Sequence, residues 1–582
     1  MRERVRLVAE RDVPVPMRDG TTLYADVYRP EGGGRHPVIL LRTPYNKALP
    51  RMAYQQLDPM RAASRGYALV VQDTRGRFAS EGDFSCFANE IDDGFDTVEW
   101  AAREPWSDGN VGMYGASYMG ATQWLAALAR PPHLKCIVPM ITASDYHEGW
   151  TYQGGAFQLG FNMSWTLANL VLPNLAHWKL TPDEVKTIRG DLIDAVDRMC
   201  GPFEHLPLTS YPTLRKHRLA DYYYDWLEHP EDDAYWRQWN IEARHAEITV
   251  PALNIGGWHD IFLGGTLRNF LGMRRNGGTP ASRNQRLLVG PWVHGLLWPN
   301  VNGDVDYGVL SQGLAIDLDG ILLRWFDHWL RGIDTGMLAE PPVKLFVMGD
   351  NAWRDESDWP LPRAVDTRVY LHSGGRANTL NGDGRLDASA PAAEPTDHYL
   401  YDPRHPVPTR GGALCCWQAA LPSGAYDQRP VEARPDVLVY STAPLTAPVE
   451  VIGPVTVKLW ASSSAPDTDF TAKLVDVDPS GFARNLTDGI VRARYRESTA
   501  RASLMEPGRV YEYTIDLWAT ANVFRTGHRI RLEISSSNFP RFDRNPNTGH
   551  ALGVDAELRP AMQTLLHDAT HPSHVVLPIV PR

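Results

Sequence analysis

Ser117 stands in Gly115-Ala116-Ser117-Tyr118-Met119-Gly120, after an extended apolar run at 111–114 and before a run at 121–130 rich in Ala, Leu and Trp. A serine on a tight strand-to-helix turn holds its hydroxyl out of the sheet. The first N–H groups of the helix then point at whatever the serine attacks. Small neighbours are what so crowded a turn requires, so Ser117 is the candidate nucleophile. Serine attacks slowly unless a base takes its proton and a carboxylate orients that base.

Both partners occur further along, each beside an apolar run. Residues 248–255 read as a buried strand entering Gly256-Gly257-Trp258-His259-Asp260, a loop that offers one carboxylate. Residues 285–289 read as another strand, followed by Gly290-Pro291-Trp292-Val293-His294-Gly295, with room between for a helix at 262–275. Taken singly, Asp260 could be a helix N-cap and His294 an ordinary loop histidine. Together they stand in the order nucleophile, acid, histidine, each at a strand end, which is the order of an α/β-hydrolase triad.

The elements that must position these residues change character along the chain. Short apolar runs at 38–41, 68–73, 111–114 and 136–140 suit a parallel sheet, and a helix is expected over 89–103. From 144 to about 240 strand signals give way to aromatic, helix-compatible sequence, including a helical pattern at 183–200. Sheet pattern returns at 248 and finishes near 350. Beyond 353 the chain reads as all-β, with strands expected at 368–372, 437–440, 455–461, 471–476, 511–517 and 529–535. The expected division is therefore a hydrolase domain at 1–143 and 241–353, a helical cap at 144–240 and a β-sandwich at 354–582. On its own such a sandwich also fits a carbohydrate-binding module.

The three site segments resemble those of the cocaine-esterase-like hydrolases, which are related to X-prolyl dipeptidyl aminopeptidases, α-amino-acid ester hydrolases and glutaryl acylases. Three further stretches agree: Met17-Arg18-Asp19-Gly20-Thr21, Gln72-Asp73-Thr74-Arg75-Gly76-Arg77 with Ser80-Glu81-Gly82, and Ser537-Asn538-Phe539-Pro540. The resemblance implies a jelly roll for the C-terminal sandwich and a serine esterase acting through an acyl-enzyme. It implies an oxyanion hole made by the Tyr45 hydroxyl and the Tyr118 N–H, where read alone Tyr45 would pass for a core aromatic. It also implies an acyl pocket walled by Trp150, Trp165 and Phe262, rings that without it would be assigned to the core. Within the family, an α-amino-acid ester hydrolase or a β-lactam or glutaryl acylase is the alternative. The first needs carboxylates for an ammonium group, with Asp145, Glu148, Asp221 and Asp225 as candidates. An aminopeptidase is less expected, because those relatives carry a large N-terminal helical domain and here the hydrolase pattern begins almost at Met1. A fold kept only for binding is disfavoured by the complete triad.

Composition bounds the rest. A chain of 582 residues, at about 150 residues per domain, holds more than one core. The formal charge of −11 has interspersed signs and no basic run, so neither nucleic acid nor an anionic membrane is an expected partner. Residues 1–6 show no signal-peptide pattern, and no apolar stretch approaches the roughly 18–20 residues of a membrane span. Five cysteines, Cys86, Cys136, Cys200, Cys415 and Cys416, read as reduced thiols of a cytoplasmic protein; Cys415 and Cys416 could bridge, but unpaired packing is expected. No metal-ligand spacing occurs, so no metal and no cofactor is expected. The expected partner is a small ester substrate, and the chain is compatible with a homodimer.

Overall fold

The computed structural model describes residues 6–49, 57–295 and 298–582; residues 1–5, part of the lead-in discussed above, lie outside the described residues. The chain builds two large sheets. The first is assembled from Leu7–Pro16 (β1), Thr22–Pro30 (β2), His36–Thr43 (β3), Ala68–Asp73 (β4), Ser107–Ala116 (β5) and Leu134–Met140 (β6). After the short hairpin Tyr152–Gln153 and Ala156–Phe157 (β7, β8) come Leu253–His259 (β9) and Arg286–Val293 (β10). The ribbon Val301–Asn302 and Val305–Asp306 (β11, β12) precedes Val343–Val347 (β13) and Ala352–Glu356 (β14). The order is β1-β2-β4-β3-β5-β6-β9-β10-β13-β14. From β4 to β13 every pairing is parallel, and antiparallel strands close both edges.

A parallel sheet is covered on both faces, so its strands read as unbroken apolar runs whose residues alternate between two cores. Val38 and Leu40 enter one core with Val98, Ala101 and Trp124 of the helices Glu90–Arg103 and Tyr118–Leu128. Ile39 and Leu41 enter the other with Leu322, Trp325 and Phe326 of the helix Leu318–Arg331. This doubly covered sheet brings the carboxyl ends of β5, β9 and β10 to the same end of the sheet, where α/β sheets bind ligands.

Two details differ from the sequence expectation. Residues 248–252 are not part of β9, because Pro251 has no N–H to give a ladder; the strand starts at Leu253 and takes in Gly256 to His259, which had read as loop. The sheet also runs past 350, since β14 pairs with β13 along its length. Between β6 and β9 the chain is largely helical. Leu159–Ser164 is α-helical, Trp165–Val171 continues as a π-helix, and Leu172–His177 tightens to a 3₁₀ turn. The helix expected over 183–200 is Pro182–Asp197, started by a capping box between Thr181 and Glu184.

The C-terminal domain is an eleven-stranded jelly roll. The expected strands are present, several of them longer, as in Val449–Ser463 and Tyr511–Phe524. Ala483–Arg492 gave no clear strand signal because it buries Asn485 and Asp488, which are satisfied by the Tyr426 N–H and by Arg541. Together these parts form an α/β-hydrolase core with an inserted helical cap and a C-terminal jelly roll.

The expectation of five free cysteines is corrected: Cys415 and Cys416 form a vicinal disulfide, while Cys86, Cys136 and Cys200 are free. The backbone at Cys416 is left-handed, with φ 78°, on a loop outside the strands. Among the described residues no helix is long and apolar enough to cross a membrane.

Candidate active site

Ser117 occupies the turn between β5 and the helix Tyr118–Leu128, at φ 63° and ψ −127°. A non-glycine residue in that region stores about 1–3 kcal/mol of backbone strain. The turn is held by the Ser117 N–H on Met140 O at 2.9 Å and by Ser117 O accepting from the Gly120 N–H at 2.8 Å. Gly115 has φ 140°, and a Cβ there would lie 2.6 Å from the Met119 Cβ; one on Gly120 would lie 2.7 Å from the Thr142 Cβ. Small residues are therefore required on both sides of the serine.

Asp260 is the first residue past β9 and His294 the first past β10. His294 Nδ1 lies 2.6 Å from Asp260 Oδ1, and Nε2 lies 3.0 Å from Ser117 Oγ. Asp260 is fully buried, and its other oxygen accepts the Phe262 N–H at 2.9 Å. That second bond fixes the carboxylate plane, so the histidine is presented with Nδ1 as donor and Nε2 as acceptor. The adjacent His259 belongs elsewhere: its Nε2 meets the Tyr307 hydroxyl, and burial pushes its pKa down to about 4.

Tyr45 follows β3 in a turn made by its N–H on Thr43 Oγ1, and the Lys47 N–H on the buried Asp73 carboxylate holds the next step. Its hydroxyl accepts from Trp165 Nε1 at 2.9 Å and is within hydrogen-bonding reach of Ser117. Burial pushes the phenol above its ordinary range, outweighing the opposing pull of those two contacts. It is therefore a neutral donor at working pH, and with one lone pair taken by Trp165 its proton is left to point at the serine. The Tyr118 N–H begins a helix and so has no intrahelical acceptor. The Tyr118 side chain points away, accepting from the Phe87 N–H and donating to Glu90, which is paired with Arg42.

Trp150, Trp165 and Phe262 come together beside the triad, all buried. Trp150 stacks on Phe262 at 4.3 Å, Trp165 meets Trp150 edge-on at 5.4 Å, and Phe262 meets the His294 ring edge-on at 5.1 Å. Sequence reasoning missed Phe161, which stacks on Trp165 at 5.4 Å; its place one helical turn before Trp165 was the available signal. Three of the four carboxylates considered for an ammonium group have other partners. Asp145 accepts from Asn240 and the His147 N–H, Glu148 accepts from the Gly154 N–H, and Asp221 pairs with Arg218; Asp225 lies on the helix that Asp221 begins. Among the described residues no group of His, Cys, Asp and Glu side chains is arranged to hold a metal ion.

Residues 19–296 match the X-Pro dipeptidyl-peptidase (S15) family, and residues 335–576 match the C-terminal non-catalytic domain of the same peptidases. The cocaine esterase of Rhodococcus sp. is 41% identical, the alignment covering 98% of both chains. Among solved structures, an α-amino acid ester hydrolase superposes with a TM-score of 0.77 at 26% identity, covering 100% of this chain and 97% of that one. An aminopeptidase of a marine-sediment Thaumarchaeota archaeon gives 0.79 at 26% identity, covering 100% and 98%. That aminopeptidase matches over nearly its whole length, so a large N-terminal domain does not separate aminopeptidases from esterases on this fold. A likeness to an esterase along the full length of both chains makes this protein a member of the cocaine-esterase-like serine hydrolases, carboxylic-ester hydrolases of the S15 family.

Proposed function

We propose that this esterase cleaves esters of aromatic or small acyl groups through an acyl-enzyme on Ser117. The observation that carries the reading is the unbroken hydrogen-bonded line from Asp260 through His294 to Ser117. Ser117 Oγ bonds to the acyl carbon while its proton passes to His294 Nε2. The carbonyl oxygen, now anionic, accepts from the Tyr45 hydroxyl and the Tyr118 N–H. The C–O bond to the leaving group then breaks, the alkoxide takes the proton from His294, and a water repeats both steps to release the acid. Asp260 keeps its charge throughout and offsets the imidazolium. The expected division at 1–143 with 241–353, 144–240 and 354–582 fits this reading, the cap carrying Trp150 and Trp165. A cytoplasmic enzyme remains part of it, with a homodimer as the assembly that light scattering would test.

Tyr45→Phe keeps the ring and removes one oxyanion donor. It should lower kcat by roughly 10² to 10³, about 3 to 4 kcal/mol, with KM little changed. Steady-state kinetics on 4-nitrophenyl acetate check this, and an unaffected variant removes the tyrosine from the oxyanion hole.

The aromatic wall supports a flat acyl group. Phe262→Ala should cut kcat/KM about tenfold more for benzoyl than for acetyl esters, since the ring costs only the substrate that fills it. Trp165→Ala should lower both, because its indole N–H also orients Tyr45. Equal losses on the two esters in Phe262→Ala would return that ring to the core.

A second reading, an α-amino-acid ester hydrolase or an acylase working on amides, is favoured by the full-length likeness to an α-amino acid ester hydrolase. It requires a carboxylate free to meet an ammonium, and the bonds made by Asp145, Glu148 and Asp221 speak against those residues. Assaying 4-nitrophenyl esters, benzoyl esters, amino-acid esters and a β-lactam amide side by side separates the two.

A further inference from the structure

A guanidinium keeps its proton in proteins, so burying one requires acceptors for its donors, ordinarily carboxylates. Arg77 breaks that pattern. It is 1% exposed, yet among the described residues it makes no ion pair. Its Nε donates to Pro44 O at 2.8 Å and its Nη1 to Leu170 O at 2.7 Å, with Nη2 3.5 Å from Asn169 O. The rings of Phe78 and Phe84 lie 5.1 and 4.9 Å from its Cζ, which adds cation–π attraction. Arg75, two residues earlier, is held in the ordinary way by Asp19 and Asp93.

The carbonyls chosen by Arg77 are informative. Pro44 immediately precedes Tyr45, and Leu170 lies in the π-helix that begins with Trp165. Since Trp165 Nε1 donates to the Tyr45 hydroxyl, the contacts close a ring: Arg77 to Pro44 and Tyr45, across to Trp165, along its helix to Leu170, and back. Arg77 is itself fixed in the turn after β4, where its N–H bonds Thr74 O and its carbonyl accepts the Ser80 N–H. Its charge also reaches the phenol, where it favours negative charge against the opposing effect of burial.

We propose that Arg77 is a positioning residue for the oxyanion site: it ties the Tyr45 turn to the Trp165 helix and sets a positive charge without a paired carboxylate behind the phenol. This rests on the reading of Tyr45 as an oxyanion donor. Among the described residues no carboxylate neutralises the charge at contact distance, so its field is available where negative charge develops in the transition state.

The test is a double-mutant cycle on the full chain, with Arg77→Gln and Arg77→Lys each made alone and with Tyr45→Phe. Each variant is assayed on 4-nitrophenyl acetate for kcat and KM and melted for Tm. Arg77→Gln should lower kcat roughly 10- to 100-fold with KM within about twofold, and Arg77→Lys, which keeps the charge but loses the fork, should recover part of it. In the Tyr45→Phe background the same substitutions should cost less than about threefold, because the group they serve is gone. Equal losses in both backgrounds, losses confined to Tm or KM, or failure of both Arg77 variants to fold would each make Arg77 structural and overturn the proposal. If Tyr45→Phe alone is fully active, the oxyanion reading itself fails. If Tyr45→Phe is impaired and the Arg77 losses are additive, that reading stands and only the role of Arg77 falls.

Discussion

Ser117→Ala should lower kcat by about six orders of magnitude while leaving the fold intact. The substitution removes the atom 3.0 Å from His294 Nε2 and nothing that shapes the turn. The Ser117 N–H on Met140 O and the Gly120 N–H on Ser117 O are backbone bonds, which alanine keeps. Alanine also meets the same strain at φ 63° as serine, so Tm should move little. What survives is binding and the oxyanion donors, which act on a carbonyl that no longer has an attacking hydroxyl. Initial rates on 4-nitrophenyl acetate, with a thermal melt on the same sample, check both halves. Full activity in a folded Ser117→Ala protein would end the serine-hydrolase account.

Asp260→Asn should cost about four orders of magnitude in kcat, for a different reason. The asparagine carbonyl can still accept the Phe262 N–H, as Asp260 Oδ2 does, so local geometry is preserved. Its amide nitrogen then faces His294 Nδ1 and donates to it, which moves the ring proton to Nε2. A protonated Nε2 cannot accept the Ser117 proton. The loss should therefore appear in kcat with little change in KM or Tm. A loss below about tenfold would show that the histidine tautomer is set by something other than Asp260.

How much of this was legible in the sequence depends on the physics carrying each signal. The parallel strands could be read because a strand buried on both faces is an unbroken apolar run, as in Ala68–Asp73. Ser117, Asp260 and His294 could be read because each stands at or just past such a run, in one order. Their convergence could not, since the strand order that places β9 beside β6 and β10 beside β9 is a property of the whole sheet. Tyr45 carried no local signal: its role depends on Trp165, brought to it from the cap. Arg77 was visible as part of a motif, but its bonding to the carbonyls of Pro44 and Leu170 exists only in three dimensions. Ala483–Arg492 hid because its buried polar residues find partners distant in sequence, and Cys415–Cys416 because nothing in composition distinguishes two packed thiols from a bridge.

In the proposed mechanism the acyl group is carried on Ser117. The direct measurement is rapid-quench trapping with a 4-nitrophenyl benzoate, followed by intact-mass and peptide mass spectrometry. The predicted result is one benzoyl group per chain on the peptide containing Ser117, formed with a burst of 4-nitrophenol equal to the enzyme concentration and absent in Ser117→Ala. A burst whose acyl group sits on another residue, or one that persists undiminished in Ser117→Ala, would contradict the account.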